Sequence, residues 1–283
     1  CHLACQYLGA VSILVNPQDK LTDISKCLEN GKVKSLIVGT REGLNHFKNI
    51  VEGPVFSSNK ILKNCHDLYE GPIEALSGCY AHEPDDLAMI IFTSGSMGIK
   101  KAVCLSQESI FITASNTIPT YDYKKSDLEL IYLPLQHGFG INQIHALIHN
   151  KHSVYIPENL LSLSSFFEVL DKERVTCISM IPSILNLLTH KYIDVLKSIK
   201  DFRFILLGAE SVRRQAIEKL LKQIPSLNIY SFYGLTEAPR STSCRLNDFL
   251  GQKEFSIGKA LPGISVNLKA SKEDTDGEGE IAI

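Results

Sequence analysis

The sequence predicts an α/β protein whose lobes are built on largely parallel sheets. Two observations carry this. Short apolar, β-leaning runs alternate with stretches of helical periodicity along most of the chain, the order that lays helices over the faces of a parallel sheet. The runs themselves, such as LAMIIF (87–92) and FRFILL (202–207), are apolar throughout rather than alternating, as strands covered on both faces are.

Taken in order, the strand candidates are VSILV (11–15), SLIVG (35–39), LAMIIF (87–92), LELIYL (128–133), SVYIP (153–157), VTCIS (175–179), FRFILL (202–207) and LNIYSF (227–232). Helices are expected between them at SFFEVLDKE (165–173), IPSILNLLTH (181–190) and VRRQAIEKLLKQI (212–224). In the last, Val212, Ile217, Leu220, Leu221 and Ile224 line one face. The charged stretch YDYKKSD (121–127) separates two such series, which sets the expected lobes at 1–126 and 127–244. Over 245–283 glycine, aspartate and short β runs replace the helices, predicting a small β element. No internal repeat is present.

Composition excludes several classes. Of the 283 residues 44% are apolar and 21% charged, ordinary for a globular protein with a sizeable core. A net charge of -2 gives no electrostatic case for nucleic acid or an anionic membrane as partner. No apolar run approaches the ~20 residues of a membrane-spanning helix. The eight cysteines, at positions 1, 5, 27, 65, 79, 104, 177 and 244, form no CxxC pair. Such scattered thiols fit a reducing, cytoplasmic setting and no zinc site. His145 and His149 lie one helical turn apart in INQIHALIHN with no third ligand in view. They read as a solvated or packed helix face. The chain starts inside a helix–strand pattern and ends in a strand-like run, GEGEIAI, so it reads as a segment of a longer protein.

Three stretches carry chemistry. The first is FTSGSMGIKKAV (92–103). Its composition suits an anion-binding loop: glycine permits successive backbone N–H groups to face one ligand, hydroxyls donate, and lysine adds charge. The nucleotide loop GxxxxGK[ST] does not fit, since Gly95 and Gly98 are three apart and Ile99 follows. The dinucleotide fingerprint GxGxxG is absent too. Because the apolar run AVCLS follows the lysines, the loop is expected to join two strands. An ordinary polar hairpin turn would have a similar composition. The second stretch is YSFYGLTEAPR (230–240), and the third is LLGAESV (206–212), each with glycine after an apolar run. Ligands of open α/β sheets bind at the carboxyl ends of strands. There Tyr233 could stack on a base, Thr236 donate to a phosphate and Glu237 hold a hard cation.

Together these stretches resemble the adenylate-forming superfamily. TSGSMGIKK is similar to its phosphate loop TSG[ST]TGxPKG and YGLTE to its YGxTE element. LPLQHGFG (133–140) resembles its lPxxHxxG segment, and GAES its adenine-flanking glycine segment. CQYLGAVSILVNP, SIGKALPGISV and GEGEIAI extend the likeness over nearly the whole chain. The resemblance implies two αβαβ-type lobes with largely parallel sheets plus the start of a small β-barrel. It implies that Thr93, Ser94, Gly95, Ser96, Gly98 and Lys101 wrap the ATP phosphates. Gly208, Ala209 and Glu210 would flank the adenine, with Tyr233 and Gly234 opposite. Thr236 would touch the α-phosphate, Glu237 would hold magnesium, and His137 would sit by the acyl pocket near the reacting carboxylate.

The implied activity is ATP-dependent activation of a small-molecule carboxylate as acyl-adenylate, with transfer to the thiol of coenzyme A. A carrier-protein pantetheine as acceptor, with an acyl carrier protein as partner, stays open. So does a degenerate nucleotide-binding member, because Met97 replaces a threonine, Lys100 a proline and Ala102 a glycine. An unrelated α/β nucleotide-binding protein is a further alternative, and it would join the 93–101 loop to a helix. The superfamily's ribose aspartate and mobile-lobe lysine fall beyond Ile283. The aspartate that pairs with an α-ammonium in amino-acid-activating members falls on Gly138, which disfavours such substrates.

Overall fold

The computed structural model of the chain describes residues 2–16, 19–38, 41–58, 80–93, 100–157, 162–252, 255–269 and 279–283. The chain divides into two compact units, Cys1–Gln107 and Glu108–Ile283.

In the first unit the order is α1 (His2–Tyr7), β1 (Ser12–Leu14), α2 (Leu21–Asn30), β2 (Leu36–Val38), α3 (Arg41–Phe47), β3 (Val55–Ser57), β4 (Leu87–Thr93) and β5 (Lys101–Ser106). Strand β1 pairs parallel with β4, which pairs antiparallel with β5; β2 and β3 form a separate parallel pair. Helix α2 buries Ile24, Cys27 and Leu28, a three-and-four spacing that aligns one stripe. Ile24 and Leu28 pack with Leu36, Phe47 and Val51 in a small core.

The second unit holds the larger sheet. Its elements are α4 (Gln107–Ser115, which starts at the division), α5 (Thr117–Tyr121), β6 (Leu128–Ile131), α6 (Gly138–Asn150), β7 (Ser153–Tyr155), α7 (Leu163–Lys172), β8 (Cys177–Met180), α8 (Pro182–Lys191), α9 (Ile193–Ser198), β9 (Phe204–Leu207), α10 (Arg214–Gln223), β10 (Asn228–Tyr233), β11 (Thr242–Arg245), a 3-10 turn (Leu246–Phe249), β12 (Lys259–Ala260), β13 (Asn267–Lys269) and β14 (Glu280–Ala282). The seven-stranded sheet runs β12-β11-β10-β9-β8-β6-β7. The pairs β7–β6, β6–β8, β8–β9 and β9–β10 are parallel, and β11 and β12 add an antiparallel edge. Strands β13 and β14 form a separate antiparallel pair. This is the expected mixed α/β architecture with mostly parallel sheets.

Both faces of that sheet are covered. Every residue of β8 and β9 is buried. Ile178, Ile205 and Leu207 join a core with Phe166, Leu185, Leu188, Ile217 and Leu220 from the helices. Their neighbours Cys177, Phe204 and Leu206 point the other way, into a cluster with Tyr121, Tyr123, Phe139, Tyr230 and Phe232. Period-two alternation thus feeds two cores, which is why the strand sequences are apolar throughout. Among the described residues, no helix is long and apolar enough to cross a membrane.

The division falls before the boundary expected at residue 126, and the stretch 121–127, though exposed at Asp122 and 124–126, is anchored in the second unit. Tyr121 and Tyr123 are core residues of the second unit. Asp127 is buried, accepting hydrogen bonds from the Lys124 backbone N–H at 2.7 Å and the Thr176 hydroxyl at 2.8 Å, and paired with Arg203. The larger sheet also continues past residue 244, through β12.

Candidate active site

The candidate site of the second unit is built on the ends of β9 and β10. Strand β9 runs out into Gly208-Ala209-Glu210 and β10 into Gly234-Leu235-Thr236-Glu237. The strands are parallel neighbours, with Ser231 beside Leu207, so both loops leave the sheet at the carboxyl end of its strands. A cleft of about 800 Å³ opens there, lined by Ala209 and Glu210 from one loop, Tyr233, Gly234 and Leu235 from the other, and Phe255 to Ile257 beyond. Its size suits a nucleoside-sized ligand.

Local geometry explains the glycines. A Cβ on Gly208 would lie 2.3 Å from the Phe232 ring, and one on Gly234 would lie 2.5 Å from the Arg240 backbone nitrogen. Each is a position where two chain segments approach too closely for any side chain. The turn after β10 is closed by Leu235 N–H donating to Ala238 O at 3.1 Å and Ser241 N–H to Tyr233 O at 2.8 Å. The Ser241 hydroxyl also donates to Ala238 O at 2.8 Å. Ala209 and Arg240 both adopt left-handed backbone, at φ 70° and 51°, which a non-glycine residue holds only where its surroundings enforce it.

The predicted residues are placed as follows. Ala209, Glu210, Tyr233 and Gly234 line one cleft, and Gly208 packs just behind it on Phe232. Glu210 is also a structural residue: its carboxylate accepts the Ser183 backbone N–H at 2.9 Å and the Ser183 hydroxyl at 3.2 Å. That places the negative charge at the N-terminus of α8, where the free N–H groups favour it. Thr236 is partly exposed and Glu237 lies beside it on the same turn. Among the described residues no group of three or more His, Cys, Asp or Glu side chains could hold a metal by itself. Glu237 is an exposed carboxylate on that turn. His137 immediately precedes α6. At Gly138, the first residue of that helix, an added Cβ would meet nothing within 4 Å.

In the first unit, Thr93 ends β4 and pairs with Lys101 at the start of β5. The loop therefore joins strand to strand, as expected, and not strand to helix. Ser94, Gly95, Ser96 and Gly98 lie outside the described residues, as does Met97. Lys101 is exposed. Lys100, expected to add charge for phosphate, is instead paired with Asp19, and this hydrogen bond pushes its ammonium pKa up.

Sequence reasoning missed two buried polar features in the second unit. Glu129 is fully buried on β6 and accepts from Gln143 at 2.5 Å and from Ser179 at 2.5 Å, with His152 at 3.0 Å. His152 stacks on Tyr123, ring centroids 4.4 Å apart, and burial pushes the Tyr123 phenol up. The signal was one glutamate inside the apolar run LELIYL. The other feature is Arg240, 1% exposed, whose charge gave no hint of burial.

Residues 1–283 match the family model described as AMP-binding enzyme. A 2-succinylbenzoate–CoA ligase of Lactococcus lactis is 30% identical over 203 residues, 70% of this chain and 42% of the relative. Two solved structures share the fold. The inhibitor-bound N-terminal domain of FACL13 from Mycobacterium tuberculosis has a TM-score of 0.84 at 20% identity, covering 99% of this chain and 71% of that one. O-succinylbenzoate coenzyme A synthetase (MenE) from Bacillus subtilis, in complex with AMP, has a TM-score of 0.82 at 21% identity, covering 99% and 56%. The chain thus spans less than half the length of the Lactococcus relative.

Proposed function

The chain belongs to the AMP-binding enzyme family, and on that premise we propose that its parent protein activates a carboxylic acid with ATP and passes the acyl group to coenzyme A. A carboxylate oxygen attacks the α-phosphorus, the bond to the leaving phosphate breaks, and pyrophosphate departs with its electron pair. The coenzyme A thiol, on losing its proton, then attacks the acyl carbon, and AMP leaves. The observation that carries this reading is the shared cleft of Ala209, Glu210, Tyr233 and Gly234 at the ends of two parallel strands.

In this reading Gly208, Ala209 and Glu210 bound one face of the adenine and Tyr233 the other. Gly234 lets the backbone close upon the nucleotide. Thr236 donates to the α-phosphate, while Thr93, Ser94, Gly95, Ser96, Gly98 and Lys101 wrap the ATP phosphates. Magnesium, when bound, neutralises charge on the phosphates; Glu237 is the residue that would hold it. The chain's part is positioning and fixed donors rather than covalent chemistry. His137, at the entrance to α6, borders the acyl side. Gly138 carries no countercharge for an ammonium group, which favours an acyl or aryl acid over an α-amino acid. The relatives named as CoA ligases support coenzyme A as the acceptor over a carrier-bound pantetheine.

ATP–pyrophosphate exchange by the full-length protein across a panel of carboxylic acids tests the proposal. Acid-dependent exchange is expected, and Glu237→Ala should lower it about 100-fold while AMP still binds. Exchange unaffected by any acid would refute the activity, and an unchanged rate in the variant would remove Glu237 from it.

A further inference from the structure

A buried polar network lies between α6 and the larger sheet of the second unit, and none of its members lines the cleft. Gln143 of α6 brings its amide nitrogen to 2.5 Å from the Glu129 carboxylate on β6. The same nitrogen lies 2.9 Å from the Ser179 hydroxyl on β8 and 2.9 Å from the Tyr123 phenol. Ser179 donates to Glu129 at 2.5 Å, and His152, just before β7, lies 3.0 Å from the other carboxylate oxygen. One helix is thus tied to two neighbouring strands through a single carboxylate.

Stability alone is a poor reason for this network. Gln143 Oε1 and His152 Nδ1 are buried with no hydrogen-bond partner among the described residues, and each such atom is a cost. Apolar side chains of similar volume often hold a helix to a sheet as well as a buried ionic cluster does. What directional bonds add is one fixed setting of the helix. That setting reaches the cleft. Phe139 lies four residues before Gln143 in α6, one turn away on the same face. Its ring packs edge-on against Phe232, centroids 4.7 Å apart. Phe232 lines the cleft and lies on Gly208, where an added Cβ would come within 2.3 Å of the ring. Gly140 approaches the Pro134 carbonyl so closely that a Cβ there would also come within 2.3 Å, so the first turn of α6 has no slack against the preceding loop.

We propose that Gln143 is a positioning residue of the nucleotide site: held by Glu129, Ser179 and Tyr123, it sets α6 so that Phe139 backs Phe232 and fixes the cleft wall built on Gly208. The inference rests on the nucleotide binding proposed above. It adds a residue that touches no ligand and acts through two aromatic rings.

The test is AMP binding to the full-length protein, read by isothermal titration calorimetry. Gln143→Leu should raise the Kd about tenfold, and Phe139→Leu about as much. The double variant should lose little more than either alone, because both changes act on Phe232 along one line of contacts. Leu220→Ala, in the core on the sheet's other face, should lower the melting temperature at least as far as Gln143→Leu yet leave the Kd within about twofold. In ATP–pyrophosphate exchange, Gln143→Leu should raise KM for ATP while kcat stays within about threefold of wild type. A Kd unchanged in Gln143→Leu would overturn the positioning role and leave nucleotide binding intact. Additive losses, about 100-fold in the double variant, would do the same, as would an equal rise in Kd for Leu220→Ala. If Gln143→Leu does not fold, Ser179→Ala, which removes one bond to Gln143, decides: a Kd raised about threefold supports the role and an unchanged one overturns it. A wild type that binds no AMP would overturn both proposals.

Discussion

Gly234→Ala should destabilise the second unit by roughly 2–3 kcal/mol, as worked from the turn that follows β10. The added methyl carbon would sit 2.5 Å from the Arg240 nitrogen and 2.9 Å from the Ala238 oxygen, where ordinary contact begins at 3.4 Å. Both atoms are backbone, so no rotamer change relieves the clash. The returning chain must retreat by about 0.9 Å. Three hydrogen bonds resist: Leu235 to Ala238, Ser241 N–H to Tyr233, and the Ser241 hydroxyl to Ala238. Stretching them loses up to about 1 kcal/mol each, which agrees with the ~1–3 kcal/mol usual for overpacking. Urea unfolding followed by circular dichroism reads the loss directly. Gly138→Ala serves as the control, since nothing lies within 4 Å of its Cβ position and a change within about 0.5 kcal/mol is expected. A Gly234→Ala protein as stable as that control would refute the steric argument.

Other expected outcomes concern stability and pH. His152→Ala should cost about 1–3 kcal/mol by removing one buried hydrogen-bond partner of Glu129; a loss below ~0.5 kcal/mol in urea unfolding would show that the contact does not stabilise the fold. Glu210→Ala should cost about 1 kcal/mol by uncapping α8, and an unchanged melting temperature would refute that role. Burial pushes the Cys244 thiol from 9.0 to about 11 and raises Cys177, Tyr121 and Tyr123 in the same direction. The folded chain holds these protons at pH values where the unfolded chain releases them, so the unfolding midpoint should fall as pH rises from 9 to 11. A rising midpoint across that window would contradict the burial.

How much was legible follows from what sequence pattern encodes. Apolar runs marked β4, β6, β8, β9 and β10 to within two residues at their ends, because a strand buried on both faces has little freedom in residue type. Helices α7, α8 and α10 were equally visible from their stripes. The stretch 121–127 misled because one of its charges is internal: Asp127 looks like a linker residue until Thr176 and Arg203, distant in sequence, meet it in space. The glycine segments after β9 and β10 stand out by motif, yet the reason for Gly208 appears only when Phe232 on the next strand is placed against it. Arg240 closes the segment YSFYGLTEAPR, but an arginine gives no local signal that it will be enclosed by Tyr121 and Phe232.

The antiparallel pair β10–β11 has a kinetic consequence. Each parallel pairing of the large sheet must wait for a crossover to close a long loop, whereas β10 and β11 are separated only by the turn from Gly234 to Ser241. Loop-closure entropy therefore makes this hairpin the cheapest long-lived contact for that sheet to nucleate on. The turn that presents Thr236 and Glu237 thus doubles as a starting point for folding. Slowly folding variants should then cluster at Gly234, Arg240 and Ser241, which close this turn, rather than along the helices.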